Sequence, residues 1–110
     1  MERFVKGDVI VAPFPYSDLS GFKKRPSLVL AKLQGDELIL CQITGKERQD
    51  RYSINLESKD FKSKNLNVSS VIRPNRLFTG NASLISYKAG TLNDKKIKEV
   101  VQKVIEILNQ

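Results

Sequence analysis

The stretch Lys6–Leu30, KGDVIVAPFPYSDLSGFKKRPSLVL, reads as strand, loop, strand, and the rest of the chain is read outward from it. Val9, Ile10, Val11, Ala12 and Phe14 form an almost unbroken apolar run, the pattern of a strand buried on both faces. Pro13 and Pro15 have no N–H for a ladder, so that strand is expected to end near Phe14. From Tyr16 to Lys24 the chain carries Ser17, Asp18, Ser20 and Gly21, residues that favour turns and loops. The loop is expected to close on the consecutive cations Lys23, Lys24 and Arg25, just before Pro26 and the apolar strand Leu28, Val29, Leu30. Pro26 biases the residue before it towards extended backbone. Arg25 then falls where a loop meets a rigid sheet, a place suited to gripping an anion. A charge run of this kind is otherwise simply solvated.

Beyond Leu30, Gly35-Asp36 separates two segments of strand composition and predicts a hairpin. The second of these, ELILCQIT, ends at Gly45, and alternation along a strand puts Gln42 and Thr44 on one face. Residues 45–52, GKERQDRY, read as a polar loop, and Tyr52, Ile54 and Leu56 alternate with polar residues as in a short strand. Glu57–Asn67 reads as a lysine-rich surface excursion anchored by Phe61 and Leu66, with one helical turn near Ser58–Phe61. Val68–Ile72 reads as a strand, Arg73-Pro74-Asn75 as a turn, and Arg76–Thr79 as resumed extended chain. A turn at Asn81–Leu84 and a weak strand near Ile85–Lys88 follow. From Asn93 the period changes: Ile97, Val100, Val101, Val104, Ile105 and Leu108 form one helical stripe. Asn93 is the predicted N-cap, and the stripe reads as core packing rather than as a partner surface. Short strands followed by one terminal helix give a mainly antiparallel β domain, α+β overall, capped by an amphipathic helix. A chain of 110 residues fits one domain, residues 1–110.

Composition removes many kinds of chemistry. With no histidine and one cysteine, the chain has no imidazole acid–base pair, no Ser–His or Cys–His nucleophile and no intrachain thiolate zinc site. No close acidic cluster suits magnesium, and no glycine-rich phosphate loop is present. Neither a metal nor a cofactor is therefore expected. Cys41 lies inside an apolar segment and reads as a small buried hydrophobe. The net charge of +7 points to a polyanionic partner, nucleic acid or an acidic protein. Neither a secretory leader nor a membrane-length apolar run of about 18–20 residues is visible, so a cytoplasmic setting is expected.

The opening GDV, then PFPYSDLSG and KKRPSLVL, together with CQITGK at 41–46, SVIRPNRLFT at 70–79 and the terminal helix, resemble the MazF/PemK-like toxins of bacterial type II toxin–antitoxin systems. The resemblance covers nearly the whole chain in order. It implies an SH3-like, partly open β-barrel with a C-terminal helix, working as a homodimer. It implies an mRNA interferase that cuts single-stranded RNA without metal, leaving a 2′,3′-cyclic phosphate and a 5′-hydroxyl. It also implies a cognate antitoxin whose acidic, disordered tail lies across the RNA groove. Arg25 in KKRP falls on the family's catalytic arginine, and Thr44 in CQIT on its catalytic threonine.

Guanidinium offers two parallel N–H bonds to a phosphate, which lysine does not. The threonine would place a hydroxyl near a phosphate oxygen or the 2′-hydroxyl. Tyr16 and Phe22 are candidates for stacking bases, with Phe14 assigned to the core. Lys23, Lys24, Lys46 and Arg48 would hold the phosphate backbone, and Gln42 would orient a phosphate or a base. Arg73 and Arg76 would extend that path or support a dimer. Asp18 and Glu47 are candidates for the general base by loop placement alone. A non-catalytic nucleic-acid-binding barrel would share the charge and the loop aromatics. A gyrase-poisoning toxin of the same fold usually needs an aromatic at the end of its last helix, where this chain has Ile107-Leu108-Asn109-Gln110.

Overall fold

A computed structural model describes residues 3–15, 18, 20–64, 66 and 69–110. The chain forms strands β1 (Asp8–Pro15), β2 (Phe22–Lys32), β3 (Glu37–Thr44), β4 (Ile54–Leu56), β5 (Phe61–Lys64), β6 (Ser70–Asn81) and β7 (Tyr87–Leu92). Helix α1 (Asp94–Leu108) closes it. Among the described residues these seven strands form one sheet in the order β4-β6-β3-β2-β1-β7-β5, with each pairing antiparallel.

The connectivity forces the sheet to curl. β4 and β5 lie at opposite edges, yet only Glu57 and a 3-10 turn at Ser58–Asp60 separate them in the chain. A twisted sheet whose two edges are tied this closely must roll into a partly open barrel. The start of α1 is fastened to this junction. Asn93 caps the helix by accepting from the Lys96 N–H at 2.8 Å, and its own N–H donates to the Asp60 carbonyl at 2.8 Å. Lys96 Nζ donates to the Asn55 carbonyl of β4 at 3.0 Å and lies 3.6 Å from the Asp60 carboxylate. The predicted helix and its cap are therefore both present.

The central strands are covered on both faces, as the apolar run of β1 anticipates. Val9, Leu28, Leu30, Cys41, Ile43, Ile72 and Leu92 pack with Val100 of α1, with Ile97, Val101 and Val104 against them. Ile10, Ala12, Val29, Leu38 and Leu40 pack on the opposite face, under Phe4, Phe78, Ala82 and Ile85. The helical stripe is only partly core, because Ile105 and Leu108 are exposed. No helix among the described residues is long and apolar enough to cross a membrane.

Three expectations are corrected. The cations 23–25 are not in the loop: β2 begins at Phe22, and Arg25, Lys24 and Lys23 pair with Ala12, Pro13 and Phe14 of β1. Local charge argued for a loop, but the β1 ladder holds the segment extended. The lysine-rich excursion contains β5, an edge strand paired with β7; lysines outside and Phe61 inside suit an edge. Arg73-Pro74-Asn75 does not reverse the chain. It lies within β6, where neighbouring Cys41 and Gln42 pair with Leu77 and Arg73, so Pro74, Asn75 and Arg76 bulge from the ladder. A proline without an N–H is accommodated at such a bulge. The predicted hairpin forms, with Gly35 at a φ of +73°, a conformation that favours glycine. Of the predicted strand Val68–Ile72, Val68 lies outside the described residues.

Candidate active site

The register of three strands assembles the site. Ser27 of β2 is the cross-strand partner of Gln42 on β3, and Gln42 is the partner of Arg73 on β6. The β2–β3 ladder stops at the Ser27–Gln42 pair, and Pro26, with no N–H to contribute, occupies the first position past it. Two residues beyond that pair, β2 carries Arg25 and β3 carries Thr44. Alternation sets their face. Val29 and Ala12 belong to the second core, so Ser27 and Arg25 share its face on β2. Leu38 and Leu40 belong there too, which puts Gln42 and Thr44 on the same face of β3. The fold thus gathers Arg25, Ser27, Gln42, Thr44 and Arg73 on one patch of the sheet.

This patch is where the fold leaves polar atoms unsatisfied. Among the described residues, the buried side-chain nitrogens and oxygens without a partner are Ser27 Oγ, Thr44 Oγ1, Arg73 Nε and Asn75 Oδ1. Ser27 is fully buried and Thr44 is 9% exposed. Buried polar groups are nearly always hydrogen-bonded, and groups left unpaired mark strain or function. The side chain of half-buried Arg25 has neither an ion pair nor a hydrogen bond among the described residues, so none of them neutralises its charge. No carboxylate among the described residues pairs with it.

Arg73 is held differently. Its Nη2 donates to Asp50 Oδ2 at 2.9 Å, and Asn75 Nδ2 donates to the same oxygen at 3.4 Å. Asp50 also accepts from the Tyr52 N–H at 2.9 Å and from Ser53 Oγ at 3.2 Å. These donors, the Arg73 guanidinium first, push the Asp50 carboxyl down to about 2. Cys41, beneath, donates its thiol to the Arg73 carbonyl at 3.1 Å, and burial pushes that thiol up to about 12. It is a packed, inert side chain.

Of the remaining sequence candidates on β2, Lys23 shares the face of Arg25, whereas Phe22 and Lys24 alternate to the other face. Lys23 and Lys24 are exposed on β2, and Phe22, at the strand's start, is 70% exposed, as a stacking group must be. Phe14 turns inward: its ring meets Phe78 edge-to-face at 5.0 Å. Lys46 and Arg48 lie exposed on a 3-10 turn that starts two residues after Thr44 and packs against β6. Tyr16 lies outside the described residues. Of the candidate bases, Asp18 accepts from the Ser20 N–H at 3.0 Å and from its hydroxyl at 2.7 Å, which lowers its pKa and weakens it as a base. Glu47 sits exposed on the turn after Thr44.

The sequence reading missed Ser27, Asp50 and Asn75. A serine inside an apolar strand, two residues after the arginine, was a usable signal for the first. Nothing local marks the reach of Asp50 to Arg73 and Asn75, which lie 23 and 25 residues away.

Comparison with known proteins follows the same lines. Residues 5–108 match the family model described as PemK-like, MazF-like toxin of type II toxin–antitoxin systems. No curated protein matches the chain significantly. A mycobacterial endoribonuclease solved in complex with its cognate antitoxin is similar in structure, with a TM-score of 0.76 at 10% identity, over 97% of this chain and 96% of that one. MazF of the MazE–MazF complex from Deinococcus radiodurans gives 0.76 at 18% identity, over 97% of both chains. A crystal structure of MazF (Form-I) from the same organism gives 0.75 at 17% identity, over the full length of both. At these identities the structural likeness is one of fold.

Proposed function

Since the chain belongs to the PemK-like, MazF-like toxins of type II toxin–antitoxin systems, we propose that it is a metal-independent endoribonuclease of single-stranded RNA. The observation that carries this reading is an arginine side chain and a buried hydroxyl brought to one face, neither with a partner among the described residues. Arg25 and Thr44 stand just past the end of the β2–β3 ladder, on one face, with Gln42 alongside.

Cleavage uses the substrate's own 2′-hydroxyl. Its oxygen attacks phosphorus, the bond from phosphorus to the 5′-oxygen breaks, one proton leaves the 2′-oxygen and one reaches the 5′-oxygen. The products are a 2′,3′-cyclic phosphate and a 5′-hydroxyl. Arg25 grips the phosphate and offsets the charge that grows on its oxygens in the transition state. Thr44, fixed on a strand, supplies its hydroxyl to the phosphate or the 2′-oxygen without reorganising. Gln42 orients the group between them. Lys23, Lys46, Arg48 and Arg73 line the path of the backbone, Lys24 adds its charge from the other face of β2, and Phe22 and Tyr16, at either end of the loop, stack unpaired bases.

In the cell the chain is a cytoplasmic homodimer held in check by an antitoxin whose acidic tail covers this basic face. The net charge of +7 favours both RNA and such a tail. A non-catalytic RNA-binding barrel would not need the unpartnered hydroxyl of Thr44. The test is an RNA that the protein cuts, resynthesised with a 2′-deoxy sugar on the 5′ side of the cut. Complete loss of cutting at that bond, with cyclic phosphate ends on the unmodified RNA, is expected. Cutting of the deoxy substrate would exclude the mechanism.

A further inference from the structure

We propose that Asp50, on the loop between β3 and β4, is a positioning residue that sets the Arg73 guanidinium over the RNA-binding face. The proposal rests on the RNA-directed reading above and adds a residue that reading does not require. Asp50 is itself fixed by its own loop: Oδ1 accepts from the Tyr52 N–H at 2.9 Å and the Ser53 hydroxyl at 3.2 Å, and its N–H donates to Ser53 Oγ at 2.9 Å. The other oxygen reaches across to β6, where it takes Arg73 Nη2 at 2.9 Å and Asn75 Nδ2 at 3.4 Å. One carboxylate therefore joins a loop to a bulged strand.

The arginine is held by one edge only. Guanidinium has five N–H donors in a rigid fork. Among the described residues, one is committed to Asp50, while Nε is buried without a partner, as is Asn75 Oδ1. The Arg73 side chain is 11% exposed, and Nη1, which has no partner among the described residues and is not one of the buried unpartnered atoms, is the donor left open to a ligand. Its backbone partner is Gln42, two residues from Thr44 on the same face of β3. A guanidinium pinned at one end, with free donors beside the Arg25 and Thr44 patch, is built for a second phosphate of the bound strand. A purely structural staple would leave no such donors unused.

The sign of the effect separates the two roles. Removing Asp50 raises the net charge from +7 to +8, because one of the twelve acids is lost. General attraction to a polyanion then predicts tighter RNA binding. Positioning predicts weaker binding. The assay is fluorescence anisotropy of a mixed-sequence single-stranded RNA, 2′-O-methylated throughout so that it is not cut, titrated at several salt concentrations. Asp50→Asn, which keeps an acceptor for Tyr52 and Ser53, and Asp50→Ala are compared with Arg73→Ala and the double variant Asp50→Ala/Arg73→Ala.

Loss of a charged phosphate contact is expected to weaken binding about tenfold and to flatten the salt slope by about 0.7. The Asp50→Ala loss should vanish once Arg73 is gone. Tighter or unchanged binding by both Asp50 variants overturns the proposal, as does an undiminished loss in the Arg73→Ala background. A wild-type protein that does not bind this RNA overturns it as well. Cutting of unmodified RNA is scored separately, so a failed nuclease reading leaves these binding differences decisive.

Discussion

Replacing Thr44 by valine should make the protein more stable and less active at once. Valine keeps the branched shape at Cβ and exchanges the hydroxyl for a methyl. Thr44 is 9% exposed and its Oγ1 has no partner among the described residues, which leave it an unpaired buried hydroxyl. Such a group costs about 1–3 kcal/mol. Taking the lower end, the valine variant gains about 1 kcal/mol, which for a domain of this size raises the melting midpoint by about 4 °C. The same change removes a preorganised donor from the proposed site, and the loss of one such donor typically lowers turnover by about a hundredfold or more. Thermal unfolding followed by circular dichroism gives the first quantity, and initial rates of RNA cleavage give the second. A variant that melts several degrees lower and cuts as well as the wild type would refute the reasoning on both counts. The hydroxyl would then be part of the fold's own bonding and no part of the chemistry.

Other outcomes follow from single groups. Asp50 titrates at about 2 in the folded chain against an ordinary 3.8. Its contribution to stability is therefore present above about pH 5 and lost as pH falls towards about 2. Urea denaturation across that window should show a steeper decline for the wild type than for Asp50→Asn; equal declines would count against the Arg73 contact. Burial holds the Cys41 thiol at about 12, so a thiol-specific reagent at about pH 8 should not label the native protein and should label one site after unfolding. Fast native labelling would mean that β3 is not packed as described. Asn93→Ala removes the acceptor of the Lys96 N–H. It should cost about 1 kcal/mol, or about 4 °C in melting midpoint; an unchanged midpoint would deny the cap its role.

What the sequence disclosed was what local chemistry controls. The apolar run from Val9 to Phe14 specifies a strand with a core on each face, Gly35 makes the hairpin, and Asn93 starts the helix. The errors arose where a distant partner decides. Lys23, Lys24 and Arg25 look like loop residues until β1 pairs with them, and β5 is a strand because β7 offers it an edge. Pro74 reads as a turn in isolation, but β3 holds the chain on both sides of it and turns it into a bulge. The site follows the same division. Arg25 and Thr44 could be named from motifs, and alternation alone put Gln42 beside Thr44 on one face. Their neighbourhood with Ser27 and Arg73 depends on registers of β2, β3 and β6, and the Asp50 contact depends on how a loop folds back; neither has a local signature.

The most direct measurement is cleavage of a long single-stranded RNA by the purified protein in excess EDTA, beside Arg25→Ala. The wild type should give discrete cuts with 5′-hydroxyl ends, and Arg25→Ala, still folded by circular dichroism, should give none above background. Cutting that survives in Arg25→Ala, or a wild type that needs an added divalent metal, would contradict a metal-free nuclease centred on Arg25.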